Sequence, residues 1–181
     1  MREKILVHCC CGPCATSSLR RLIDEGYEPV LCYGNSNIWP WEENDIRYEN
    51  LLKVASYFGG LQVIRQDYDH DAWLEFIKGL ENEPEGGARC QKCFEFNLRA
   101  ACEEARRLGI GCFTTTLTVS RFKNSANIFK VGSAFEGFEP IDFKKKGGFA
   151  RSCQMARELG LYRQQYCGCE FSIAEGVEED A

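Results

Sequence analysis

The run Ile5-Leu6-Val7-His8 leads straight into Cys9-Cys10-Cys11-Gly12-Pro13-Cys14, and nothing else in the chain restricts its fold as strongly. An apolar strand that stops at a cysteine-rich turn and opens a helix is a strand–turn–helix unit. Thiolates packed this tightly repel one another unless a metal neutralises them, and adjacent cysteines have poor geometry for bridging to each other. Pro13 suits the first helical turn, where its missing N–H is harmless. Cys14 then lies in the field of a helix N-terminus, which favours its thiolate. Two further clusters follow, Cys90-Gln91-Lys92-Cys93 and Cys167-Gly168-Cys169, among 12 cysteines in 181 residues. The pattern points to a metal-cluster redox enzyme.

The start of the chain lacks the apolar h-region of roughly 7 to 15 residues that a secretory signal needs. No stretch approaches the ~20 apolar residues of a membrane helix. A soluble, cytoplasmic protein is expected, and in a reducing compartment cysteines at this density serve as ligands or redox groups rather than as a disulfide framework. The 44% hydrophobic content is enough for one packed domain over residues 1–181, with an acidic tail at about 175–181. A net charge of −5 speaks against a generally basic nucleic-acid surface. Local groups such as Lys144-Lys145-Lys146 with Arg151 can still meet phosphates.

Apolar runs at 5–8, 30–33, 61–64 and 112–117 read as buried strands, with Pro29 as a turn residue before the second. Helical spacing recurs between them at 15–24, 46–58, 94–108 and 151–161. Strands alternating with helices of this length imply right-handed βαβ units, an α/β fold with a parallel sheet covered on both faces. The cysteines after the first strand would then sit at the C-terminal edge of the sheet, where such proteins bind ligands. The aperiodic stretch 79–89 is expected to be a long loop that delivers Cys90 and Cys93 to the same edge.

Cys90 and Cys93 alone fit a zinc half-site, a thioredoxin-like pair or an iron–sulfur half-site. Adjacency in the N-terminal cluster favours a multi-iron cluster, which accepts ligands from diverging directions, over one small tetrahedral ion. Cys167 and Cys169, one glycine apart, would close a strained and therefore labile ring if oxidised, or else serve as extra ligands. Cys32, Cys102, Cys112 and Cys153 lie in apolar or helical stretches and read as core packing. His8 is either an accessory group beside the cluster or a satisfied core histidine. Asp69, in Asp67-Tyr68-Asp69-His70-Asp71, is either a metal ligand or a helix N-cap.

Taken together, His8, Cys10-Cys11, Pro13-Cys14, Arg89-Cys90 with Cys93, and Tyr166-Cys167-Gly168-Cys169 resemble the cobalamin-independent (QueH-type) epoxyqueuosine reductase family. Asn37-Ile38 with Pro40, Thr115-Thr116-Leu117 with Ser120, and the basic 145–151 stretch extend the match over nearly the whole chain. Cys9 fills a variable slot in the family pattern, so it is not expected to be an essential ligand.

The resemblance implies a three-layer Rossmann-like parallel sheet of the adenine nucleotide α-hydrolase-like (HUP) group. The phosphate-cradling glycines of that group are mostly missing here, which speaks against ATP use. It also implies a 4Fe-4S cluster on Cys10, Cys11, Cys90 and Cys93, with Cys167 and Cys169 as a redox-active catalytic pair. Cys14 has no settled role; with a carboxylate such as Asp69, and with His8, it is a candidate for a second, mononuclear iron or for an accessory part. The implied reaction reduces the epoxide of epoxyqueuosine in a tRNA anticodon loop to the cyclopentene of queuosine, fed by an electron donor that the sequence does not name. Arg121, Lys123, Lys145 and Arg151, with Trp39, Trp41 and Phe122, are the expected RNA contacts. Two other readings use the same residues: a zinc-stabilised RNA-binding module, and a thiol oxidoreductase or tRNA-thiolation enzyme.

Overall fold

A computed structural model describes residues 2–173; the expected acidic tail lies outside the described residues. Four parallel strands form one sheet in the order β3-β2-β1-β4, with β1 at Glu3–His8, β2 at Tyr27–Tyr33, β3 at Val63–Arg65 and β4 at Phe113–Thr115. The helices are α1 (Gly12–Asp24), α2 (Trp41–Tyr57), α3 (His70–Phe76), α4 (Ala88–Arg107), α5 (Ser125–Gly132), α6 (Gly148–Glu158) and α7 (Glu170–Ile173).

Because strand side chains alternate between faces, successive residues of β1 serve different cores. Ile5 and Val7 pack with Leu31 and Tyr33 of β2 and with Leu19, Leu51, Val54 and Ala156 from α1, α2 and α6. Leu6 packs the other way, with Val30, Phe94, Leu98, Ala101, Phe113 and Ile128, which places α4 and α5 on the opposite face. The result is the α/β, Rossmann-like three-layer architecture expected from the strand–helix alternation. Among the described residues, no helix is long and apolar enough to cross a membrane.

Three local expectations change. Pro29 is inside β2 rather than before it, opposite Ile5. It is tolerated because β3 pairs only with Leu31 to Tyr33, so β2 has one neighbour at the proline. The run 112–117 extends as a strand only to Thr115. The Thr115 hydroxyl accepts from the Leu117 N–H, and Thr116–Val119 turns into a 3-10 helix over the end of β1. Cys90 and Cys93 are carried by the first turns of α4 and not by the preceding loop.

Close packing at the start of α1 depends on Gly12. A Cβ there would lie 2.8 Å from the carbonyl oxygen of Asn50, so α1 begins directly against the backbone of α2.

Candidate redox and metal centre

The end of β1 is tied into the sheet edge by neighbouring loops. The Cys9 N–H donates to the Cys32 carbonyl at 2.9 Å, Asn35 donates to the Cys9 carbonyl at 2.8 Å, and the Cys10 N–H donates to the Thr116 hydroxyl at 3.2 Å. These bonds fix where the cysteines point. Cys9 turns into the core, in agreement with its variable slot. Cys10, Cys11 and Cys14 gather their sulfurs within 4.8 Å of one another.

The helix N-terminus acts on Cys11 rather than on Cys14. Cys11 is the N-cap of α1, and its sulfur accepts the Cys14 backbone N–H at 3.5 Å and the Gln164 side-chain amide at 3.1 Å. Thiols of Cys10 and Cys14 donate to it as well, and with help from Arg47 they hold its pKa well below the ordinary thiol range. Cys14 is pushed up instead, because it donates to Cys10 and Cys11 and is buried. The expected Cys14 thiolate is therefore corrected to Cys11, since a cap accepts helix N–H groups and a residue inside the first turn does not.

On the facing wall, α4 presents Cys90 and Cys93. The Gly86 N–H donates to the Cys90 sulfur at 3.2 Å, and Asn97 approaches the Cys93 sulfur at 3.9 Å. Burial raises both thiols, Cys93 further because Cys167, Cys169 and Cys90 crowd it. Arg89 is only 2% exposed. Its Nη1 donates to the carbonyls of Glu81 and Glu83. Its Nε and Nη2 have no hydrogen-bond partner among the described residues.

The third cysteine segment is held by its backbone. Arg47, 2% exposed, donates from Nη1 to the Cys167 carbonyl at 2.8 Å and from Nη2 to the Tyr166 carbonyl at 3.1 Å. Its Nε pairs with Glu43 at 2.8 Å, and the other Glu43 oxygen accepts from the Tyr162 hydroxyl at 2.8 Å. The Trp39 N–H donates to the Gly168 carbonyl at 2.8 Å. Gly168 has φ 152°, and a Cβ there would come within 3.0 Å of Ile38, so only glycine fits without strain.

These walls enclose a cavity of about 520 Å³ at the C-terminal edge of the sheet, lined by Cys10, Cys14, Cys93, Cys167 and Lys123 among others. A smaller adjoining cavity is lined by Cys90, Cys93, Cys167, Cys169, Arg89 and Lys123. Cys10 and Cys14 thus share the larger cavity with Cys93 and Cys167, while Cys90 opens only to the smaller one and Cys11 lines neither. Lys123, expected at the RNA surface, is turned into this space. Burial opposes its charge, but Cys167, Cys10 and Cys14 outweigh that and hold its pKa above the usual lysine range.

His8 is fully buried, and both ring nitrogens are engaged, Nδ1 with the Thr115 hydroxyl at 2.9 Å and Nε2 with the Asn35 side-chain oxygen at 3.1 Å. Burial lowers its pKa and favours the neutral ring. Asp69 is the N-cap of α3, its carboxylate accepting the Ala72 N–H at 2.9 Å. Arg121, Lys145 and Arg151 are exposed, and Arg121 lies over the rings of Phe122 and Phe149 at the cavity wall. Cys32, Cys102 and Cys112 are in the core, and burial raises Cys32 to about 12. Cys153 is not a core residue: it lines the large cavity and accepts a hydrogen bond from Arg163 at 3.4 Å.

Sequence reasoning missed Arg47, Arg89 as a buried donor, Gln164 and Asn97. For Arg47 a signal was present. It precedes Leu51, Val54 and Ala55 by four, seven and eight residues, which puts its charge on the buried face of α2.

Thiols from three distant stretches, facing shared space at the mouth of a parallel sheet, define an α/β oxidoreductase of the cysteine-centred kind. The family model described as "Epoxyqueuosine reductase QueH" matches residues 5–175. Proteins named epoxyqueuosine reductase QueH align over nearly the whole chain. The one from Streptococcus pyogenes serotype M1 is 36% identical over 189 residues, covering 98% of this chain and 74% of that protein. The Haemophilus influenzae protein is 34% identical, with 96% and 73% covered, and the Thermotoga maritima protein is 33% identical, with 98% and 94% covered. The chain belongs to the epoxyqueuosine reductase QueH family.

Proposed function

We propose that this chain reduces the epoxide of epoxyqueuosine in tRNA to the cyclopentene of queuosine, using a 4Fe-4S cluster held by Cys10, Cys11, Cys90 and Cys93. The observation that supports this reading, alongside family membership, is that Cys10 and Cys14 line one cavity with Cys93, next to the smaller cavity that Cys90 and Cys93 line. The donor set suits an iron–sulfur group. It is all thiol and it comes from two diverging directions, the turn before α1 and the first turns of α4. The two unpartnered N–H groups of Arg89 fit the same purpose, because sulfur acceptors beside Cys90 would satisfy donors whose burial is otherwise costly. Cys14 shares the 4.8 Å grouping with Cys10 and Cys11, which supports it as a metal donor beside them.

When bound, the cluster would supply electrons one at a time. The reaction needs two electrons and two protons and releases water. Cys167 and Cys169 together hold that complement: epoxide plus two thiols gives alkene, water and one disulfide. Charge developing on the departing oxygen calls for a nearby cation or proton donor. Lys123 meets that need, an ammonium among Cys10, Cys14 and Cys167 in the cavity wall. Phe122, 75% exposed, and the exposed Trp39 and Trp41 suit stacking with splayed bases of an anticodon loop, and Arg121 and Arg163 line the entrance for phosphates.

Mass analysis of nucleosides after incubating reduced, iron-loaded protein with epoxyqueuosine-containing tRNA tests the reading. The expected product is queuosine, one oxygen lighter, from a brown protein carrying iron and sulfide. A colourless zinc protein that leaves the nucleoside unchanged overturns it. Binding of this tRNA is expected to weaken as salt rises, through release of counterions from phosphates. A filter-binding titration with no salt slope contradicts phosphate contact.

A further inference from the structure

We propose that Cys167 is the sulfur through which an external dithiol reductant regenerates the enzyme, and that Cys169 is the buried resolving sulfur. This rests on the reading of the two cysteines as a redox pair. It adds the entry point for electrons and the chemical class of the donor.

The two sulfurs occupy unlike surroundings. Cys167 is half-buried and lines both cavities. Cys169 is 7% exposed, sits among Trp73, Ile77 and Phe171, and lines only the smaller one. Their roles are difficult to exchange, because the backbone between them is pinned. Arg47 holds the carbonyls of Tyr166 and Cys167, the Trp39 N–H holds that of Gly168, and the Ser172 hydroxyl donates to that of Cys169 at 2.7 Å. Moving the Cys169 backbone toward the large cavity would break this set.

A cation stands beside each sulfur. Lys123 lines both cavities beside Cys167, and Arg89 lines the smaller one beside Cys169 with two buried N–H groups free of partners among the described residues. The balance is that of thiol–disulfide exchange. A carrier thiolate attacks the Cys167 sulfur, forming a carrier–Cys167 disulfide and breaking the Cys167–Cys169 bond. The departing Cys169 thiolate is met by Arg89 and takes the proton lost by the carrier. The carrier's second thiol then attacks its own mixed disulfide, leaving as an intramolecular disulfide and returning the Cys167 thiolate to Lys123. One dithiol is oxidised and one disulfide reduced.

The test uses full-length protein purified anaerobically and oxidised with diamide, with peptide mass mapping at each stage. Loss of two hydrogens within the peptide holding Cys167 and Cys169 supports the redox pair; its absence overturns that reading, and this proposal with it. Limiting glutathione, a monothiol that stalls at the mixed disulfide, is then added and the remaining thiols are alkylated. Glutathione is expected on Cys167 over Cys169 by at least about ten-fold, with the alkyl group on Cys169, since access decides which sulfur is attacked. An intact disulfide that yields glutathione mainly on Cys169, or equally on both, leaves the pair standing and overturns the assignment.

Discussion

Cys90→Ser, alone or with Cys93→Ser, is expected to bleach anaerobically purified protein and to remove most of its iron and sulfide. Both thiols stand in the first turns of α4 and line the smaller cavity, and Cys93 also lines the larger one with Cys10 and Cys14. Serine keeps the size but offers a much poorer ligand to iron. Turnover should fall by more than the ~10–100-fold that removing an outer-sphere partner of a metal typically costs. Cys167→Ser with Cys169→Ser should behave differently, keeping the visible absorption while slowing turnover. Full iron and colour in the Cys90 variant would remove α4 from the cluster. A double tail variant turning over at the wild-type rate would remove the dithiol from the reaction.

Arg47→Met is expected to be among the most destabilising single substitutions in the chain. The guanidinium and the Glu43 carboxylate are both almost wholly buried and 2.8 Å apart. Removing one member of such a pair strands the other charge and typically costs about 3–5 kcal/mol. For a chain of this size that corresponds to a fall of roughly 10 °C in Tm, at about 2–4 °C per kcal/mol. The carbonyls of Tyr166 and Cys167 lose their guanidinium donors as well. Arg47→Lys keeps the charge but not the planar fork, so it should recover part of the stability while leaving the Cys167 segment loosely held. Calorimetry gives the first quantity, and the alkylation rate of Cys167 at a temperature where the variants remain folded gives the second. A methionine variant melting within a degree or two of wild type would show that the pair contributes little.

Much of the fold was legible because it is written in local pattern. The apolar run ending at His8 and Pro13 at the start of a helix fix β1 and α1 with no reference to the rest of the chain. The alternation of strands and helices then leaves few arrangements besides a covered parallel sheet. Element ends were less legible. The strand at 113–115 stops early because the Thr115 hydroxyl bonds the Leu117 N–H, and a hydroxyl that can serve a turn or a strand equally well gives no warning of its choice. The site was legible as chemistry but not as geometry. The resemblance named the candidate cysteines and set Cys9 aside, while the reading of the first helical turn assigned the helix field to Cys14 when the cap is Cys11. Local pattern read Cys153 as core when that thiol lines the cavity.

By itself, then, the order of residues determined the strand–turn–helix that carries the first thiols, the α/β class and the family. All of these depend on near neighbours in the chain or on motif identity. Only the tertiary structure decided that Lys123 faces sulfur, that Arg47 reaches across from α2 to hold the backbone of residues 166 and 167, and that Cys167 and Cys169 point into different surroundings. The reason is physical. Burial opposes such a charge and partners distant in the chain offset that cost, and neither the burial nor those distances are encoded by the sequence on either side of it.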